Sequence, residues 1–75
     1  MSLQLGKCLL LERLNDKEMS QASFAKRMGV SRQYVSKLVS GERKMSLEFA
    51  FNAAQILDCH ISDLYILNVV HNRRE

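Results

Sequence analysis

Between residues 31 and 44 the chain reads SRQYVSKLVSGERK. Wound as a helix at about 100° per residue, Arg32, Gln33, Ser36, Lys37 and Ser40 fall within one arc of about 140°. Val35, Leu38 and Val39 occupy the other side, with Tyr34 on the border. The polar arc holds a guanidinium, a primary amide, an ammonium and small hydroxyls, and it holds no carboxylate. A solvated helical face ordinarily mixes Glu with Lys at i,i+4, because such pairs stabilise the helix and keep it soluble. Donors without acidic partners suit an anionic, acceptor-rich surface instead. Arg and Lys can donate to guanine O6 and N7, and Gln can bond bidentately to adenine N6 and N7 in a major groove. A small Ser36 permits close approach to the groove floor. A generic amphipathic helix would explain the apolar arc but not the missing acids.

Charge placement supports the same chemistry. The 75 residues carry a net +3. Between Ser20 and Lys44 the bases Lys26, Arg27, Arg32, Lys37, Arg43 and Lys44 face one acid, Glu42, and the remainder of the chain is slightly acidic. Positive charge gathered into one segment of a near-neutral protein is the footprint of a polyanion-binding surface.

The elements that must position these residues follow from apolar spacings of three and four, with no proline and only three glycines. Periodicity predicts an all-α chain of five helices in a compact bundle, a single domain over residues 1–75 with a tail from about 68 to 75. The first helix is expected over about Leu3 to Lys17, with Leu5, Cys8, Leu9, Leu11 and Leu14 inward. Ser20 can cap a second helix to about Met28, burying Ala22, Phe24, Ala25 and Met28. Gly29 supplies the permissive backbone of a turn, and Ser31 caps a third helix that Gly41 stops. Ser46 caps a fourth helix through about Leu57, and a fifth is expected over about Ile61 to Leu67.

From Gln21 the chain reads QASFAKRMGVSRQYVSKLVSGERK. It resembles the helix-turn-helix of the phage repressor and Cro-like group, the xenobiotic-response-element family, with the helix-turn-helix core at about residues 20–40. The match rests on small Ala25 facing the turn, Gly29 four residues later, and apolar Val35 and Leu38. The downstream SLEFAFNAAQILDCHISDLY looks like the family's fourth and fifth helices, so the resemblance spans about Leu9 to Tyr65. It implies a lambda-repressor-like domain that reads bases with Arg32, Gln33, Ser36 and Lys37. Phosphate contacts carry over to Ser20, Gln21, Ser31, Ser40, Arg43 and Lys44. The implied function is sequence-specific binding of double-stranded DNA at a near-palindromic operator, most simply by a homodimeric repressor in the cytoplasm.

Three departures from the family pattern involve five positions. Leu14 and Val39 stand where many relatives carry an arginine–glutamate pair, so that pair is replaced as a unit by apolar groups. Met45 stands where proline is common, which implies a less rigid loop. Phe49 and Ile56 occupy positions that are usually solvent-facing on the fourth helix. With Ile66, Val69 and Val70 they form the expected dimer interface. The same surface leaves a second reading open, an antitoxin or other subunit whose main partner is a polypeptide such as a toxin, with DNA binding secondary.

Other chemistries find little support. Cys8 and Cys59 read as small buried apolar side chains in a reducing compartment rather than a disulfide scaffold. His60 and His71 are too isolated to hold a metal with them, and no cofactor is expected. The serines lack a His–Asp arrangement, so no enzyme activity is expected. No apolar run is long enough to span a membrane.

Overall fold

The computed structural model describes residues 2–70; Met1 and the tail residues 71–75, His71 among them, lie outside the described residues. The element order is β1 (Ser2–Cys8), α1 (Leu10–Asp16), α2 (Gln21–Met28), α3 (Arg32–Ser40), α4 (Leu47–Leu57), a 3-10 turn (Ile61–Asp63) and β2 (Tyr65–Val70). Four helices therefore form the body, and two strands replace the ends of the expected five-helix bundle.

The strands pair antiparallel, with Leu3 opposite Val69, Leu5 opposite Leu67 and Cys8 opposite Tyr65. Three steps along β1 match two along β2, so β1 carries a bulge between Leu5 and Cys8. Gly6 sits in it, where an added Cβ would lie 2.8 Å from the Asn68 amide nitrogen and 3.0 Å from the Ile66 carbonyl oxygen. Glycine is thus what lets the strands approach there. Leu3-Gln4-Leu5 alternates with a period of two, and Ile66, Val69 and Val70 are β-branched, so both segments suit a pleated ribbon. The helical expectation for Leu3–Leu9 failed because its four apolar residues, Leu3, Leu5, Cys8 and Leu9, do not separate one period from the other. Leu5 is exposed as a result, and Leu11 is exposed on the outer side of α1, whereas Cys8 and Leu14 remain buried. Residues 68–70, expected in a tail, are the end of β2.

The middle of the chain forms as its caps dictate. The hydroxyls of Ser20, Ser31 and Ser46 accept from the amides of Ser23, Tyr34 and Phe49 at 3.0, 3.1 and 3.1 Å. Each cap satisfies one orphan donor at a helix start and stabilises it by about 1 kcal/mol. Gly29 has φ of 72°, and the Val30 amide reaches back to the Ala25 carbonyl at 3.0 Å, which closes α2. At the end of α4, Asp58 takes the same left-handed role with φ of 51°.

The core lies between the helices and is wholly apolar. Leu10, Leu14, Phe24, Val35, Leu38, Ala53, Leu57 and Leu64 are essentially inaccessible. Leu14 and half-buried Val39 both belong to this cluster, so apolar packing occupies the place of the relatives' ion pair. Ala22, expected inside, is exposed because Phe24 and Ala25 supply the inward face of α2. No helix is long and apolar enough to cross a membrane among the described residues.

Candidate nucleic-acid interface

Helices α2 and α3 meet through the three-residue link Gly29-Val30-Ser31, which sets their starts on one side of the molecule. Gln21, at the first position of α2, joins Arg32, Gln33 and Ser36 around a shallow concavity of about 200 Å³. Lys37 continues the same face one turn beyond Gln33 and is exposed, as are Arg32, Gln33 and Ser36. Neither α2 nor α3 has an acidic residue in its first turn. The amide groups at both helix starts and the positive ends of both dipoles therefore stand unopposed beside the basic side chains.

The loop after α3 is organised from beneath. Ser40 donates its hydroxyl to the Lys37 carbonyl at 3.1 Å and accepts from the Glu42 amide at 3.4 Å. Its hydroxyl is thereby committed to shaping the loop. The Arg43 amide also donates to the Lys37 carbonyl at 3.2 Å, folding the loop back over the helix end. The Arg43 guanidinium carbon then lies 5.6 Å from the centroid of the Tyr34 ring. That ring meets Phe49 edge-on at 5.6 Å, and Phe49 meets Phe24 edge-on at 6.2 Å. A row of aromatic rings thus connects a basic side chain at the surface to the centre of the core. Phe49, placed by the sequence among solvent-facing residues, is instead half-buried as the middle ring of this row. Its signal was the aromatic pair Phe24 and Tyr34 on neighbouring helices, which the sequence does not bring together.

The expected phosphate contacts Ser20, Gln21 and Ser31 lie at the helix starts, with Arg43 and Lys44 exposed in the following loop. The residues expected at a dimer contact do not form one patch. Ile56 packs half-buried against the core, and Val69 lies on one face of the ribbon while Ile66 and Val70 lie on the other. The sequence missed Leu47 and Phe51, 69% and 54% exposed, one helical turn apart on α4.

Two thiols and a phenol are shifted by burial. Burial pushes the Cys8 thiol up, against hydrogen bonds from the Leu10 backbone and the Tyr65 hydroxyl that act in the opposite sense. Burial likewise raises Tyr65 and Cys59. Both cysteines are free, and no cluster of three metal-ligating side chains occurs among the described residues.

A helix-turn-helix family model matches residues 10–64, covering all four helices and the 3-10 turn. The chain belongs to the helix-turn-helix family, of the Cro/C1 or xenobiotic-response-element type, and it is a DNA-binding transcription regulator. No curated protein matches it. The matched span leaves both β1 and β2 wholly outside, so the ribbon is an addition to the shared helical unit.

Proposed function

We propose that the protein is a homodimeric repressor that reads duplex DNA in the major groove with α3. Arg32, Gln33, Ser36 and Lys37 face base edges, while Ser20, Gln21, Ser31, Arg43 and Lys44 hold the flanking phosphates; Ser40, its proton given to the Lys37 carbonyl, acts through the loop that carries Arg43 and Lys44. One observation carries this reading: the wet face of α3 has donors and no carboxylate, and it shares a concavity with the start of α2. Ser20 and Ser31 already accept backbone bonds, but each hydroxyl keeps its proton for a phosphate oxygen. A two-fold dimer presents two such helices, so its operator is near-palindromic, with half-sites about 34 Å apart or a multiple of that. Its site of action is the cytoplasm, on DNA.

Selection from random duplex DNA tests the proposal. Enrichment of a symmetric site is expected; enrichment of no site, or of a site without two-fold symmetry, counts against it. A second reading, a subunit whose main partner is another polypeptide such as a toxin, draws on exposed Leu47 and Phe51. Stoichiometric co-purification of a second chain from the native host would favour it.

A further inference from the structure

The β1–β2 ribbon is an anomaly as an isolated element. Beyond its base it is exposed on both faces, and both of its outer edges are unpaired among the described residues. A two-stranded ribbon is marginal at best in water, and open uncharged edges invite pairing. Residues 2–6 and 65–70 contain no charged side chain at all.

Register places Leu3, Leu5, Leu67 and Val69 on one face, with Tyr65 at its base. The same face opens into a groove of about 400 Å³ whose wall includes Leu5, Leu67, Met45, Leu47 and Ile61. Phe51, one turn beyond Leu47, extends the apolar surface along α4. Leu3, Leu47 and Val69 are 62%, 69% and 52% exposed. Together these side chains make an exposed apolar surface of the kind that marks an interaction site.

We propose that this face is the contact to a second copy of the chain, the ribbon of each copy lying in the groove of the other. Three features favour a second copy as the occupant. The surface offers both a protruding apolar strip and an apolar groove, so it is complementary to itself under a two-fold axis. The groove is lined by no charged side chain, so two copies of a chain of net +3 can approach through it without opposing like charges. A specific interface needs roughly 1,000 Å² in total, and six large apolar side chains per copy, each 40–69% exposed, supply apolar surface on that order. The proposal rests on the homodimer reading and locates its interface, away from Ile56 and the aromatic row.

Sedimentation equilibrium of the full chain, with Leu3→Glu and Leu47→Glu as separate variants and Gln55→Glu as control, tests it. The two leucines are exposed, so the variants are expected to keep the wild-type circular dichroism. Each should weaken dimerisation about tenfold or more, while Gln55→Glu leaves it unchanged. A wild-type dimer that both variants preserve at full strength overturns this interface and leaves the homodimer reading standing. A wild-type monomer at all concentrations, bound singly to each half-site without cooperativity, overturns both. Hydrogen exchange of the wild-type protein decides the matter should a variant unfold. Ribbon amides protected at high but not low concentration support the contact, and concentration-independent ribbon exchange overturns it.

Discussion

The backbone amide of Met45 donates to the hydroxyl of Tyr65 at 3.1 Å. Twenty residues separate them, and the bond fastens the loop before α4 to the base of β2. A proline, common at this place in relatives, has no N–H to give. The departure at Met45 therefore replaces a stiff residue with a tied one.

Tyr65→Phe is expected to lower stability by about 1–2 kcal/mol, because the half-buried Met45 amide and the Cys8 thiol both lose their partner. Urea unfolding should show a lower midpoint with an unchanged slope. An unchanged midpoint would mean that water replaces the hydroxyl without cost.

Alkaline pH should destabilise the protein through the same corner. Cys8 and Tyr65 are acids whose neutral forms are favoured by burial, so their folded pKa values lie above the ordinary 9.0 and 10.0. Their contribution is complete below those ordinary values and is lost as pH rises through the higher folded ones. Thermal melts from pH 7 upward should be flat to the ordinary thiol range and then fall, and Tyr65→Phe should blunt the fall.

The Tyr34 ring gives Arg43 a platform, so ring and hydroxyl separate cleanly. Tyr34→Phe should leave operator affinity within about twofold, whereas Tyr34→Leu should lower it by about 0.5–1 kcal/mol. A titration comparing the two, at fixed salt, suffices. Equal losses in both variants would point to the hydroxyl and not the face of the ring.

Serines of α3 should divide by position. Ser31→Ala is expected to cost about 1 kcal/mol of folding stability by removing the cap on Tyr34. Exposed Ser36→Ala should leave the melting temperature unchanged and alter operator preference instead. Gln33→Ala should relax the preference at one base pair per half-site by about 1–3 kcal/mol. Lys44→Ala should weaken all sequences alike and reduce the salt slope by about 1 per copy.

Serine caps, glycine turns and the charge of the middle segment made α2, α3 and their basic face legible, because each acts within a few residues. Caps do not mark the chain ends: Leu9 begins α1 with no side-chain bond, and His60 precedes only a single 3-10 turn. There the outcome depends on pairing between residues 57 to 68 positions apart, for which Leu3-Gln4-Leu5 alone is a faint sign. Phe49 shows the same limit in the core. Its helix position says solvent, yet Phe24 and Tyr34 approach it from two other helices and draw it inward.

Because β1 pairs with β2, the ribbon is the longest loop closure among the described residues. Contacts among the helices close shorter loops on the whole, so contact order favours their forming before the ribbon, whose closure spans nearly all the described residues. During synthesis the opening strand stays without its mate until residues 65–70 have been made. A nascent chain stalled before that point would carry a folded reading head and an unsatisfied strand whose one charge is Lys7, and that strand is the segment a chaperone would have to shield.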